Sequence, residues 1–164
     1  MKVLHLALAL VFGLTLAACQ PGPSSTESLA KAKTFMTTNA KVPGVVTLPS
    51  GLQYKIVRSG DPKGMKPQSA DEVKVNYEGK LVSGEVFDSS YERGVPASMP
   101  LQALIPAWVE ALQLMRPGDE WLLYVPPELG YGSDGSGSIP PNSALIFRIE
   151  LLGVLPGPGR IGQG

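Results

Sequence analysis

The sequence predicts an α+β domain in which an antiparallel sheet of four to six strands packs on one short helix. Glycine (19 residues) and proline (16 residues) are frequent, which favours a loop-rich sheet protein over a helical bundle. Several short apolar or alternating runs are bounded by these two residue types, and one run has helical spacing. The chain of 164 residues, 43% of them apolar, is long enough for one packed domain with short extensions.

The predicted strands all lie in the second and third parts of the chain. They fall at 51–60, in two segments of 72–90, at 120–127 and at 144–155. Gly79 and Gly84 are interpreted as the breaks within the 72–90 segment. The stretch from Pro96 to Pro100 is interpreted as a connector, and 128–143 as a glycine-rich loop.

Two helical segments are predicted. "LIPAWVEALQLM" (104–115) has apolar residues at helical spacing, and Pro106 suits its first turn. The segment 27–40 has a weaker apolar stripe, formed by Leu29, Ala32, Phe35 and Met36. Because a helix of this length is marginal alone, the second segment must dock on the rest of the protein.

The N-terminus has the pattern of an export signal. An apolar run of about 16 residues follows Lys2, which is short for a membrane span of about 20 residues. It ends in Leu16-Ala17-Ala18-Cys19, which resembles a bacterial lipobox, so we expect cleavage before Cys19 and lipidation of its thiol. The residue after it is Gln20, which indicates the outer membrane, facing the periplasm. The alternatives are an ordinary signal peptide with a spare thiol, or an uncleaved anchor.

Composition excludes several classes of function. Lys and Arg together number 14, as do Asp and Glu, so the chain has no electrostatic footprint for nucleic acid. His5 and Cys19 are the single histidine and cysteine, and both lie in or next to the leader. The sequence therefore predicts no zinc or iron site of the usual kind, no Ser-His or Cys-His catalytic pair, and no cofactor.

Five separated segments carry a family resemblance. They are "VNYEG" (75–79), "VFDSSYERG" (86–94), "IPAWVEAL" (105–112), "YVPPELGYG" (124–132) and "IPPNSALIFRIELL" (139–152). In this order, across roughly 50–155, they resemble an FKBP-type peptidyl-prolyl cis-trans isomerase. "SGLQYKIV" (50–57), preceded by a short helix, resembles the macrophage infectivity potentiator branch of exported bacterial members.

The resemblance implies a fold and a division of the chain. The implied fold is α+β, a curved antiparallel sheet of about five strands wrapped around one short helix. The expected division is a lipoprotein signal peptide at 1–18, a tether and short helix at 19–48, the isomerase domain at 49–156 and a tail at 157–164. The implied substrates are X-Pro bonds in unfolded or exported polypeptides.

Nine pocket residues follow from the matched positions. The resemblance assigns catalysis to four residues and substrate binding to five: Asp88, Tyr131, Phe87 and Trp108, and then Tyr77, Leu104, Ile105, Ile139 and Phe147. Trp108 is expected as the floor and Phe87 as one wall. Tyr131 is expected to offer its hydroxyl, and Ile105 its backbone N–H, to a substrate carbonyl. Asp88 is expected to act electrostatically and by hydrogen bonding, not as a general base.

The chain departs from the family pattern at three positions. Ala97 stands where many members have an aromatic wall residue, with a register uncertainty of two residues. Ala107 replaces a usual glycine, and Ser138 an aliphatic residue. These departures leave open the affinity for macrolide inhibitors and the residue preferred before proline. The helical N-terminal part is shorter than the dimerising helices of some relatives, so the oligomeric state also stays open.

Other interpretations of the same residues remain. Phe87, Trp108 and Phe147 are individually compatible with an ordinary core, and Asp88 with a turn cap. Two other functions compete with catalysis: a lipid-anchored, chaperone-like module that binds proline-containing segments with little turnover, and a structural envelope lipoprotein without a ligand.

Overall fold

The computed structural model describes residues 24–158. The predicted signal peptide, Cys19, the first residues of the predicted tether and the end of the tail lie outside the described residues. The elements in chain order are α1 (Ser25–Asn39), β1 (Val46–Thr47), β2 (Gln53–Arg58), β3 (Glu72–Leu81), β4 (Val86–Ser89), α2 (Ser90–Arg93), β5 (Ala97–Pro100), α3 (Pro106–Leu112), β6 (Glu120–Val125) and β7 (Leu145–Leu155). Short 3₁₀ turns lie at Leu101–Ala103 and Pro127–Leu129.

The strands form one antiparallel sheet in the order β1-β2-β6-β7-β3-β4. One edge of β3 pairs with β7 over its whole length, from Glu72 opposite Leu155 to Leu81 opposite Leu145. The other edge of β3 is shared, because β5 pairs with its first half and β4 with its second half. The predicted fold class is confirmed, and β1 and β5 add two short strands to the five that were expected.

Two details of the predicted strands are wrong. The stretch 97–100 is a strand and not a connector; Ser98 and Met99 pair with Lys74 and Val73. Pro96 before the strand and Pro100 at its last position are tolerated because β5 lies at the sheet edge. Gly79 does not break the sheet but lies within β3, opposite Phe147 on one side and Asp88 on the other.

The core lies between one face of the sheet and α3. Pro106 occupies the first turn of α3, as expected, and the helix ends at Leu112, earlier than the apolar spacing indicated. Alternate residues of the strands point toward this helix, which is why they are apolar. The buried side chains include Val73, Val75, Trp121, Leu123, Ile149 and Leu151 from strands and Ala107, Trp108, Ala111 and Leu112 from α3.

The N-terminal helix docks on the sheet, as predicted from its length. The Nε2 of Gln53 donates to the carbonyl of Met36 at 2.9 Å, and Asn39 donates to the Gln53 side chain at 2.9 Å. The ring of Phe35 lies 6.1 Å from that of Tyr124 on β6. Ala32, from the predicted stripe, is buried. Within residues 24–158, no helix is long and apolar enough to cross a membrane.

Candidate active site

A cavity of about 500 Å³ opens between the sheet and the start of α3. Strands β3, β4, β5 and β7, the segment leading into α3, and the loop before β7 all contribute to it. Its lining residues are Tyr77, Phe87, Asp88, Met99, Ala103, Leu104, Ile105, Trp108, Tyr131, Ser136, Gly137, Ser138, Ile139 and Phe147. All nine residues expected at the pocket are therefore brought together by the fold; their individual roles stay predictions.

Aromatic rings form the inner part of the cavity. Trp108 lies at the base, with its ring 5.1 Å from Tyr77 and 5.3 Å from Phe147, each in edge-to-face geometry. Phe87 meets Phe147 edge to face at 5.6 Å. Such perpendicular contacts are favourable for aromatic quadrupoles and hold the rings at fixed angles. The indole N–H of Trp108 is buried and has no hydrogen-bond partner among the described residues.

Gly79 makes room for two of these rings. A Cβ atom at this position would lie 2.6 Å from Cε2 of Phe87 and 2.7 Å from Cε1 of Phe147. Both distances are far inside the ordinary carbon–carbon contact of about 3.5–4.0 Å. The absent side chain at Gly79 is thus a condition for the two rings to meet over β3.

Asp88 is held by two donors at the edge of the cavity. The hydroxyl of Tyr77 donates to Oδ2 of Asp88, and Arg93 forms an ion pair with Oδ1. Arg93 also donates to the Tyr77 hydroxyl at 2.9 Å, which closes a three-membered network. Arg93 reaches back to Asp88 because α2 is a single helical turn ended by Gly94 in the left-handed conformation.

This network sets the charge of Asp88. Burial by itself would raise the pKa of Asp88, but the hydrogen bonds from Tyr77 and Arg93 outweigh burial and lower that pKa below its usual value. Burial raises the pKa of Tyr77, and its hydrogen bond to Asp88 adds to the rise. Asp88 is therefore a carboxylate at neutral pH, fixed in direction by a neutral phenol and a guanidinium.

Two free donors line the cavity. The backbone N–H of Ile105, which caps the N-terminus of α3, has no acceptor among the described residues. The side chain of Tyr131 is 37% exposed, and its hydroxyl makes no hydrogen bond in the same part of the chain. Burial raises the pKa of Tyr131, with a smaller contribution from the charge of Asp88, so its phenol keeps its proton.

The residues missed by the sequence interpretation are mostly small. Met99, Ala103, Ser136 and Gly137 line the cavity without having been singled out. Met99 lies two residues after Ala97, which is within the register uncertainty given for the aromatic wall position. Ser138, which stands where the family pattern has an aliphatic residue, does line the cavity. Arg93 was also missed, although its place five residues after Asp88 beside a turn glycine was a usable signal.

No metal centre accompanies this cavity. In the part of the chain that the structure describes, no group of three His, Cys, Asp or Glu side chains is placed to hold a metal ion. The side chains that line the cavity offer apolar aromatic walls, one fixed carboxylate and a few hydrogen-bond donors.

Comparison with known proteins gives the same family in sequence and in structure. The model of the FKBP-type peptidyl-prolyl cis-trans isomerase matches residues 63–152, and that of the domain amino-terminal to such isomerases matches residues 18–56. A peptidyl-prolyl cis-trans isomerase Mip of Coxiella burnetii is 53% identical over 76% of this chain and 54% of its own length. The outer membrane protein MIP of Legionella longbeachae is 47% identical over 78% of this chain and 54% of its own length.

A solved structure agrees with these relatives. The crystal structure of FkpA from Escherichia coli superposes with a TM-score of 0.78 at 45% identity, covering 82% of this chain and 62% of that one. The chain thus spans about half the length of the two curated relatives, 54% of each. The aromatic cavity, the fold and the matched segments agree, and the chain belongs to the FKBP-type peptidyl-prolyl cis-trans isomerase family, in its Mip-like branch.

Proposed function

We propose that this protein is a peptidyl-prolyl cis-trans isomerase that accelerates rotation about X-Pro bonds in other polypeptides. The observation that carries the proposal is the cavity itself, an aromatic box of about 500 Å³ with one fixed carboxylate at its edge. Family membership and the names of the relatives support it. The box has the size and apolar character that a prolyl ring and its neighbouring residue require.

Isomerisation of this bond needs no nucleophile. Rotation costs about 18–20 kcal/mol because amide resonance is lost in the twisted state. For a prolyl bond in water, this barrier gives waiting times of about tens to hundreds of seconds. A twisted amide has less charge separation than a planar one, so an apolar site stabilises it relative to water. Catalysis then follows from differential binding of the transition state.

Trp108, Phe87 and Phe147 supply that apolar surface in this proposal. Their edge-to-face contacts hold the box open at fixed angles, so little reorganisation is needed when the prolyl ring enters. The Ile105 N–H, at the start of α3, donates to a substrate carbonyl and fixes the chain on one side of the rotating bond. The Tyr131 hydroxyl donates from the opposite loop.

Asp88 acts as a fixed charge. Because its pKa is lowered, it carries no proton to transfer at neutral pH, which argues against a role as general acid. In this proposal its carboxylate, at the edge of the cavity, stabilises the positive character that the carbonyl carbon of the twisted amide gains. Electrostatic stabilisation by a preorganised group of this kind is a common source of rate acceleration.

The test is the rate of cis-to-trans isomerisation in a short X-Pro peptide, measured on the purified protein and on Asp88→Ala and Tyr131→Phe. We expect clear acceleration by the protein and a lower kcat/KM in both variants. A folded protein without acceleration would refute the isomerase proposal. An active protein whose Asp88→Ala variant is equally active would refute the role of Asp88 alone.

We further propose that the protein acts in the cell envelope, anchored by lipid on Cys19, on exported polypeptides. The leader sequence and the name of the Legionella longbeachae relative support this location. The proposed division keeps residues 1–18 as the signal peptide and 49–156 as the isomerase domain. Mass spectrometry of the purified protein should show acyl groups on Cys19. A Cys19→Ala variant that remains in the membrane fraction would refute lipid anchoring.

A further inference from the structure

The loop between the second 3₁₀ turn and β7 forms one side of the cavity. Five lining residues come from it: Tyr131, Ser136, Gly137, Ser138 and Ile139. The loop has no ladder of its own apart from one isolated bridge between Ser136 and Ile139. The position of this segment, which we call the pocket loop (residues 130–143), therefore decides whether the cavity is complete.

Asn142 is the residue that joins the two halves of the pocket loop. Its backbone N–H donates to the carbonyl of Gly132 at 2.8 Å, next to Tyr131. Its φ is 56°, the only positive value for a non-glycine residue in the part of the chain that is described. Asparagine tolerates this left-handed conformation better than most residues, which lets the chain turn back here.

The same residue connects the pocket loop to α1. The side-chain amide of Asn142 donates to Oγ of Ser25 at 2.6 Å and lies 3.4 Å from the Ser25 carbonyl oxygen. Among the described residues, these are the side-chain hydrogen bonds that leave the pocket loop for another element. Ser25 is the first residue of α1 and lies 117 positions earlier in the chain.

Packing supports the same connection. Ser28 and Ala32, on the α1 face one and two turns beyond Ser25, are 7% and 2% exposed. They line a small cleft of about 140 Å³ whose other walls come from the end of the pocket loop, at Pro140 and Ser143, and from the turn after β3, at Val82 and Ser83. The buried face of the helix thus shares this cleft with the loop, and the first residue of the helix is hydrogen-bonded to Asn142.

We propose that α1 is a positioning element for the substrate pocket, with Ser25 acting through Asn142 on the loop that carries Tyr131 and Ile139. This inference rests on the proposed isomerase function. Neither Ser25 nor Asn142 lines the cavity, so both are positioning residues. The N-terminal segment then contributes to substrate affinity as well as connecting the domain to its anchor.

The expected effect is on binding. Without the bond, the pocket loop spends part of its time away from the binding position. The apparent affinity is then the intrinsic affinity multiplied by the fraction of molecules whose loop is in that position. In the bound complex the loop is in its binding position and Tyr131 is in place with it. Phe87, Asp88 and Trp108 lie outside the loop, so the isomerisation step after binding is unchanged. Loss of one neutral hydrogen bond corresponds to a change of roughly two- to fivefold.

The test uses Ser25→Ala beside a matched control, Thr26→Ala. Thr26 is the next residue of the helix, is exposed, and makes no side-chain hydrogen bond to the loop. For an X-Pro peptide, Ser25→Ala should raise KM about two- to fivefold with kcat unchanged. Hydrogen exchange at the Ile139 amide, which bonds to the Ser136 carbonyl at 2.8 Å, should speed up in the same variant. Thr26→Ala should match the wild type in both.

A second variant guards against indirect effects. Asn142→Gly keeps the positive φ without strain and removes the side-chain amide that bonds to Ser25. It should reproduce the KM of Ser25→Ala, and the double variant should be no worse than either single variant, because one interaction is lost in all three. Additive effects in the double variant would overturn the inference.

Failure of this inference is distinguishable from failure of the proposed function. If the wild-type protein shows no turnover, the isomerase proposal fails, and amide exchange in the pocket loop still decides the connection to α1. Faster exchange in Ser25→Ala than in Thr26→Ala would support the connection. Wild-type exchange in Ser25→Ala would overturn it, as would an unchanged KM in an active protein.

Discussion

Gly79→Ala is the smallest change that the structure predicts will damage the cavity. The added Cβ would lie 2.6–2.7 Å from ring atoms of Phe87 and Phe147. Ordinary contacts are about 3.5–4.0 Å, so the rings must withdraw by about 1 Å. Phe147 is 3% exposed and also packs on Trp108, whereas Phe87 is half-buried, so Phe87 should move.

The expected cost has two parts. Overpacking of this kind destabilises proteins by about 1–3 kcal/mol. Replacing glycine in a strand also reduces the entropy of the unfolded chain, which returns about 0.4–1 kcal/mol. The net loss in the free energy of unfolding should be about 1–2 kcal/mol in urea titration. Because Phe87 is displaced by about 1 Å, kcat/KM for an X-Pro peptide should fall by about ten- to a hundredfold.

Gly153→Ala is the matched control for this prediction. Gly153 also lies in a strand, β7, but a Cβ there meets nothing within 4 Å and its φ is not positive. This variant should be as stable as the wild type or slightly more stable, with unchanged kcat/KM. If Gly79→Ala retained both wild-type stability and wild-type activity, the argument that the rings require an empty position in β3 would be refuted.

Four further predictions concern charged side chains. Because Arg93 helps to lower the pKa of Asp88, Arg93→Met should raise that pKa. The acid limb of the pH profile of kcat/KM should then move to higher pH. An acid limb at the wild-type position would contradict the network of Tyr77, Asp88 and Arg93. In the wild type, the pKa of Asp88 is lower in the folded protein than in the unfolded chain, where it is about 3.9. The stability that Asp88 contributes is therefore present above about pH 3.9 and is lost as the pH falls through the pKa of the folded protein. The free energy of unfolding, measured as a function of pH in the acid range, should show this loss. Asp71 is 1% exposed and accepts hydrogen bonds from two backbone amides at 2.7 and 2.9 Å. Asp71→Ala should therefore lower the free energy of unfolding, measured by urea titration, by about 2–4 kcal/mol. A loss below about 1 kcal/mol would be inconsistent with these buried hydrogen bonds. Lys31 pairs with Glu27 across exposed positions, and Lys31→Ala should leave the unfolding midpoint unchanged within error.

Much of the site could be predicted because it is encoded in short segments. Eight of the nine pocket residues lie in the quoted motifs, and Leu104 directly precedes one of them. A strand or helix places such neighbours in a known relation. The strand at 97–100 was missed because the flanking prolines normally mark a loop, and only its partner, Val73 and its neighbours in β3, reveals an edge strand. Arg93 was missed because its ion pair with Asp88 depends on the turn of α2, which directs the Arg93 side chain back toward Asp88.

Gly79 shows where local patterns stop being informative. A glycine between charged residues, as at Glu78-Gly79-Lys80, is compatible with a break between strands, with a bulge or with the close approach of another group, and the neighbouring sequence does not decide between them. The reason for this glycine lies in two rings from β4 and β7, which reach it across the sheet. Only the assembled strands show that the position is occupied by side chains from elsewhere.

The sequence by itself determined the family, the fold class and nine of the residues that meet at the cavity, because each depends on spacing within short segments. The tertiary structure decided the angles between the rings, the ionised state of Asp88 and the contact between Ser25 and Asn142, two residues 117 positions apart. The physical reason is that periodicity along a chain specifies which face of an element is buried. Which atoms meet on that face depends on elements that are distant in sequence.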